Sequence, residues 1–414
     1  MDQLQPIRGT HDILPDQSRR HRHVVETAWQ LAERYGYAEI STPIIEFTEV
    51  FKRTLGGTSD IVTKEMYTFP DRSGAEITLR PEGTAGIARA LISGGLGQSL
   101  PLKFFYNGPM FRYERPQKGR LRQFHQIGIE LLGAASPMAD VEVIALAAHT
   151  LDALGVLEST VLELNTLGDR ESRSAYRDVL VAYFSDHRER LSADSIRRLE
   201  QNPLRILDSK NKGDREVVAE APIFSDYLTE DATAFFSSVC QGLDNIGIAY
   251  QLNSRLVRGL DYYCHTAFEF TTEALGAQGT VLAGGRYDGL VETMGGPMTP
   301  GVGWAAGIER LTMLDGTESK APRAVAVIPV GADAEAEAFK ITQRLRREGI
   351  AADMGFSGNL SRRMKRANRI GASFAVIVGA DELARNAATL RDMDTGAQEE
   401  VALDTLVGRL QSGR

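Results

Sequence analysis

Five basic side chains, Arg112, Arg115, Lys118, Arg120 and Arg122, fall within eleven positions, a density suited to gripping a polyphosphate or a nucleic-acid backbone. They sit on and between two strand-like runs, Lys103 to Arg115 and Leu121 to Leu132. Counting by two, Arg112 and Glu114 share a face of the first run, while Gln126, Gly128 and Glu130 share a face of the second, opposite Ile127, Ile129 and Leu131. One side of this hairpin packs, and the other offers an arginine, two carboxylates and a glycine gap. A solvated sheet face accounts for any single charge there, but the density of arginine argues for a ligand. Three further segments gather chemistry. Thr78-Leu-Arg-Pro-Glu-Gly-Thr84 puts Glu82 and Thr84 where a strand turns into a helix, which alone reads as a helix start. Leu256-Val-Arg-Gly-Leu-Asp-Tyr-Tyr263 crowds Arg258, Asp261 and two tyrosines between apolar strands, where buried charge needs mutual pairing or a ligand. Gly301-Val-Gly-Trp-Ala-Ala-Gly-Ile-Glu-Arg310 lets a flat ring approach the backbone and ends on an arginine suited to a phosphate tail, although it is neither a GxGxxG nor a P-loop.

The elements that must position these groups follow from periodicity. An apolar stripe of Val24, Val25, Ala28, Leu31 and Ala32 predicts a helix over 17–34 that Gly36 ends. A strand-like run from Ala38 to Glu46 carries Pro43 in its middle, which suits an edge or interface strand. Runs at Glu65 to Phe69 and Glu76 to Leu79 around Asp71-Arg-Ser-Gly predict a hairpin, and a helix follows over Pro81 to Leu91. Charged, helix-compatible sequence over about 168–222 reads as an inserted helical module. Strand signals return at Ala249 to Leu256, Ala267 to Thr272 and Thr280 to Ala283. After linker-like sequence near 315–322 the pattern alternates strand and helix through Val378, which predicts a small α/β domain with a mostly parallel sheet. The boundaries expected are 1–320 and 321–414.

The chain has 414 residues, 43% hydrophobic and 25% charged, so it can bury a sizeable core and needs no staple. Cys240 and Cys264 are its two cysteines, which excludes a disulfide scaffold or a cysteine metal cage and fits a reducing compartment. No apolar run approaches the ~18 residues of a membrane span, and the start MDQLQPIRGTHD has no basic region followed by an apolar one. A cytoplasmic protein with no membrane partner is therefore expected. The net charge of −8 gives no global pull toward a polyanion. That total hides a division: residues 322–414 hold 14 basic and 12 acidic side chains, +2, which leaves −10 on residues 1–321. Arg362, Lys365, Arg366 and Arg369 share a helix face there, beside Arg363.

In order along the chain, Ile7-Arg-Gly-Thr-His-Asp12, the Pro43 run, Arg80-Pro-Glu-Gly-Thr84, Gly108 to Arg120 with Phe124-His-Gln126, Leu256 to Tyr263, Ala283-Gly-Gly-Arg-Tyr-Asp-Gly-Leu290 and Gly301 to Arg310 closely resemble histidyl-tRNA synthetases, a family of class II aminoacyl-tRNA synthetases, in their bacterial form. The resemblance covers nearly the whole chain. It implies an α+β catalytic domain built on an antiparallel sheet, with a helical insertion, and a C-terminal α/β anticodon-binding domain. It also implies histidine, ATP with Mg2+, and a cognate tRNA as substrates, and a homodimer formed through motif 1. By position, Glu82 and Thr84 match residues that hold the substrate ammonium group, Glu130 and Tyr263 match residues on the imidazole, and Tyr262 and Gln126 adjoin them. Arg112 matches the arginine on the α-phosphate, Glu114 and Arg120 belong with it at ATP, Arg310 matches the γ-phosphate arginine, and Arg258 matches a catalytic arginine peculiar to this family. Arg115 and Gln117 are candidates for the tRNA acceptor end, and Arg362 and Arg366 for the anticodon. Cys264 and His265 carry no role, and no metal site in the protein itself is expected. The alternative is a non-catalytic regulatory paralogue in histidine biosynthesis, which would lack the arginine–tyrosine string and the C-terminal domain that this chain has.

Overall fold

A computed structural model describes residues 3–412 except 57, 58, 60, 118, 208, 210, 258, 277, 278 and 317–320. Lys118 and Arg258 therefore lie outside the described residues. The chain forms two compact units, Met1–Ser319 and Lys320–Arg414.

In the first unit the strands are β1 (Ala38–Glu39), β2 (Ile45–Phe47), β3 (Tyr67–Pro70), β4 (Glu76–Leu79), β5 (Leu102–Phe111), β6 (Gln123–Leu132), β7 (Val161–Thr166), β8 (Gln251–Leu252), β9 (Cys264–Thr271), β10 (Thr280–Arg286) and β11 (Gly301–Gly307). Eight of them form one sheet in the order β1-β5-β6-β11-β10-β9-β7-β8. Its central pairs are antiparallel, and the edge pairs β1/β5 and β7/β8 are parallel. The expected antiparallel catalytic sheet is present, with parallel edges added. Helices Pro15–Arg34 and Pro137–Ala153 pack against it, burying Val24, Ala28 and Ala32 from one and Val143, Ile144 and Leu151 from the other against Ile127, Ile129 and Trp304. Ser136 caps the second helix by accepting from the Met138 amide, and Pro137 occupies its first turn, where a missing N–H costs nothing. The period-two alternation along β6 thus leaves Gln126, Gly128 and Glu130 facing away from this core.

Four expectations need adjustment. The first hairpin strand stops at Phe111; the Arg112 amide still donates across to the Arg122 carbonyl at 2.9 Å, but the Tyr113 amide is taken by the Glu65 carbonyl at 2.7 Å, so Arg112 lies just past the strand end and Glu114 is a loop residue. Pro43 does not sit within one strand: it separates β1 of the large sheet from β2, which joins β3 and β4 in a small sheet. The run at Ala249 to Leu256 yields only the two residues of β8. The helix after β4 starts at Thr84, with Pro81 ahead of it.

Helices Arg170–Asp186, Ala193–Gln201 and Lys212–Ala219 form a module with its own core of Tyr176, Leu180, Phe184, Leu199, Ile206 and Val217. Each begins on a side-chain cap, Asp169, Ser192 and Asn211 respectively.

The second unit is a five-stranded sheet of β12 (Val325–Pro329), β13 (Ala352–Met354), β14 (Phe374–Val378), β15 (Ala387–Asp392) and β16 (Gln398–Ala402), ordered β13-β12-β14-β15-β16. The expected α/β alternation holds through β14. The sheet is half parallel rather than mostly so, because β15 and β16 return antiparallel in sequence beyond the stretch that shows alternation. Among the described residues, no helix is long and apolar enough to cross a membrane.

Candidate active site

The face of β6 turned from the core floors a cavity of about 210 Å³ lined at one end by Glu82, Thr84, Glu130, Tyr262, Tyr263 and Tyr287, and at the other by Arg112, Glu114, Arg120, Glu309 and Arg310. The two ends differ in charge and in depth.

At the first end Glu130 is 1% exposed. Its carboxylate accepts from the Thr84 hydroxyl at 2.6 Å and from the Tyr287 hydroxyl at 2.5 Å. Burial pushes its carboxyl up to about 8, against the pull of those two hydroxyls. Glu82 is also buried and also raised by desolvation, although the amides of Thr84 and Ala85 donate to it at 2.7 and 2.8 Å. The glycine gap at 128 has a cause: the Tyr106 ring lies over it, and a Cβ at Gly128 or Gly83 would overlap that ring. A Cβ at Gly303 would likewise overlap the Glu130 carboxylate.

The tyrosines are set by the helical module. Arg173 donates to the Tyr263 and Asp261 carbonyls at 2.5 and 3.3 Å. Asp261 itself accepts from Asn202 and Arg205 at 2.9 and 3.0 Å, so its partner is a module arginine. Tyr262 stacks on Tyr263 with centroids 4.6 Å apart and meets the edge of Tyr287.

At the second end Arg112 donates through Nε to the Pro81 carbonyl at 2.9 Å and lies over the Phe124 ring, with one terminal nitrogen 4.0 Å from the Glu114 carboxylate. Arg120 is ion-paired with Glu114, itself buried. Arg310 is anchored by the carbonyls of Gly119 and Thr280 at 3.1 and 2.6 Å. Burial, together with the neighbouring Arg120, lowers its pKa. Such a cavity has the charge pattern to take a molecule with a cationic, hydrogen-bonding end and a polyanionic end, since arginines are suited to stabilising charge on a phosphoryl group.

A family model described as Histidyl-tRNA synthetase matches residues 9–311, and one described as Anticodon binding domain matches residues 324–413. A histidine–tRNA ligase of Rhodospirillum rubrum is 62% identical over 98% of both chains. The chain belongs to the histidyl-tRNA synthetase family. A second histidine–tRNA ligase, of Gluconacetobacter diazotrophicus, is 58% identical, also over 98% of both chains. The crystal structure of apo Staphylococcus aureus histidyl-tRNA synthetase superposes with a TM-score of 0.83 at 36% identity, covering 98% of this chain and 99% of that one.

For a histidyl-tRNA synthetase the expected residues Glu82, Thr84, Gln126, Glu130, Tyr262, Tyr263, Arg112, Glu114, Arg120 and Arg310 all line one cavity. Arg115 and Gln117 do not line it; both are exposed in the basic loop, where Gln117 faces a neighbouring cleft. On the helix Leu360–Arg369, Arg362 is exposed, whereas Arg366 is tied to Asp353 through two hydrogen bonds of 2.9 and 3.1 Å. Arg363 is buried and pairs with Glu335 at 2.6 Å, a structural role. Sequence reasoning missed Tyr287, which lies inside the quoted Ala283 to Leu290 segment but gained no role because a strand-end tyrosine does not announce which carboxylate it meets. It also missed Glu309, which accepts from the His125 amide at 2.9 and 3.0 Å and contacts Nδ1 of the same residue at 2.9 Å.

Proposed function

We propose that this chain is a histidine–tRNA ligase working through the cavity floored by β6, with two buried carboxylates at one end, neither of them in an ion pair among the described residues, and three arginines at the other. That polarity is the observation that carries the reading. The histidine ammonium group sits at Glu82 and Thr84, and the imidazole meets Glu130 and Tyr263 beside Tyr262 and Gln126. A pocket in which Glu130 gains no counter-charge unless a ring N–H reaches it rejects amino acids without one.

The histidine carboxylate oxygen attacks the α-phosphorus of ATP, and the bond to the bridging oxygen breaks, releasing pyrophosphate. Arg112 holds the α-phosphate, Arg310 the γ-phosphate, and Arg258 completes the cation set by family resemblance. Fixed cations stabilise the charge without proton transfer. ATP enters with Mg2+, and Glu114, a carboxylate among arginines, has the oxygen chemistry a hard cation takes. The terminal ribose hydroxyl of the tRNA then attacks the acyl carbon, and AMP leaves. Arg115 and Gln117 serve the acceptor end, and Arg362 and Arg366 the anticodon, with Arg366 first giving up Asp353.

A homodimer is supported by exposed apolar groups on the motif 1 segment and its small sheet, Ile44, Ile45, Phe47 and Phe69. A cytoplasmic location fits the free Cys240 and Cys264. The test is amino-acid-dependent ATP–pyrophosphate exchange. Exchange driven by histidine alone is expected; exchange with another amino acid overturns the specificity, and none at all favours the regulatory paralogue.

A further inference from the structure

Behind the arginine end of the cavity, three side chains from distant parts of the sequence converge: His21 on the helix Pro15–Arg34, His125 on β6 and Glu309 at the start of the helix Ile308–Leu314. One ligand atom from each lies within 4.8 Å of the others. The two imidazoles meet edge to face with centroids 5.6 Å apart. Two of the three, His21 and Glu309, border a second cleft together with His11 and Gln117.

We propose that His21, His125 and Glu309 form a binding site for a divalent ion of the zinc type, with its fourth position open to that second cleft. Two imidazoles and a carboxylate are a donor set that zinc takes with one position left for water. Tetrahedral bonds of about 2.0–2.1 Å place ligand atoms about 3.4 Å apart, so closure asks for movement of roughly an ångström, within reach of χ rotations on three long side chains. The support around the ligands is already present. The His125 amide donates to the Glu309 carboxylate at 2.9 Å, which fixes that carboxylate as outer hydrogen bonds fix ligands in metal sites. No Lys or Arg ion pair to Glu309 accompanies the His125 contact among the described residues.

The site is joined to the cavity by covalent neighbours. Gln126 follows His125 and Arg310 follows Glu309, and both line the cavity. An ion that draws Glu309 toward His21 alters the Glu309–His125 brace, and with it the seating of Arg310. Zinc occupancy therefore lowers adenylate formation.

The test uses the full-length, untagged, chelator-treated chain. Calorimetric titration with Zn2+ is expected to give one ion per chain, and Co2+ to give the intense visible bands of a tetrahedral centre. His21→Phe, and His21→Gln as a polar variant, are expected to weaken Zn2+ binding at least tenfold and abolish those bands, with unchanged melting temperatures. Equal binding in wild type and both variants, an octahedral Co2+ spectrum or no Zn2+ binding would overturn the site. In pyrophosphate exchange with saturating Mg2+, stoichiometric Zn2+ is expected to slow the wild type and not the His21 variants. Equal slowing in both, or none in either, overturns the link to adenylation. The binding arm does not depend on the proposed reaction, so failure of the two readings can be told apart.

Discussion

Asp140 and Glu130, both enclosed within the catalytic unit, have opposite surroundings. Asp140, on the helix Pro137–Ala153, is 0% exposed and is held by Arg286, also 0% exposed, through Nε and a terminal nitrogen. Arg286 has its other donors on the carbonyls of Ala134 and Ser136 and on Asp288. Glu130, as deeply buried, meets hydroxyls only. Burial raises both carboxyls, but at Asp140 the arginine opposes it strongly, while at Glu130 nothing charged does. The difference separates two uses of a buried acid. Asp140 has its counter-ion in the protein and ties a helix to β10. In the proposed reaction Glu130 takes its counter-charge from the bound histidine.

If that division is right, the two sites fail in different ways. Asp140→Ala strands the Arg286 charge and is expected to destabilise the catalytic unit by about 3–5 kcal/mol, read as a lowered denaturation midpoint. A replacement of both residues by apolar ones, Asp140→Leu with Arg286→Met, should recover much of the loss. A loss that the double variant does not recover would mean that the pair does more than satisfy itself.

For the arginine assigned by family resemblance, Arg258→Ala is expected to slow adenylate formation by about 10²–10³-fold, the size of one removed transition-state donor. Histidine binding at equilibrium should change far less. Equal losses in both would make this arginine a ground-state contact. Glu130→Gln is expected to weaken histidine binding by about 1.5–3 kcal/mol, the worth of a hydrogen bond to a charged group, with ATP affinity nearly intact. A parallel loss of ATP binding would refute the separation of the two ends.

How much of this was legible beforehand depended on whether the signal was local. The alternation of Gln126, Gly128 and Glu130 against Ile127, Ile129 and Leu131 is a property of one strand, and it gave the buried face and the ligand face together. The N-terminal helix, the hairpin and the α/β pattern through Val378 are local in the same sense. Arg112 and Glu114 reached the right cavity by the wrong geometry, since a strand ladder ends wherever another carbonyl captures its amide, here that of Glu65. Tyr287 to Glu130 spans 157 positions and Arg286 to Asp140 spans 146, and no periodicity reports such pairs. Arg366 looked like a free cation on a basic face because its neutralising Asp353 sits on the adjacent strand. The same blindness to long-range pairing hid His21, His125 and Glu309, whose meeting no spacing rule anticipates.

The same contrast also sets a pH dependence. A carboxyl that titrates at about 8 in the folded protein and near its ordinary ~4.3 when unfolded keeps its proton on folding throughout the interval between. There the folded state binds more protons, so Glu130 makes stability fall as pH rises from about 4.3 to about 8, by at most ~1.4 kcal/mol per pH unit, and adds no further slope above. Asp140 sets no such slope in the comparison, since a Glu130→Gln variant retains it. The stability of Glu130→Gln relative to wild type should therefore climb between pH 5 and 8 and level off beyond, measured by denaturant unfolding at matched ionic strength. A flat difference across that range would mean that Glu130 is already ionised without a ligand, and the contrast with Asp140 would then rest on geometry alone.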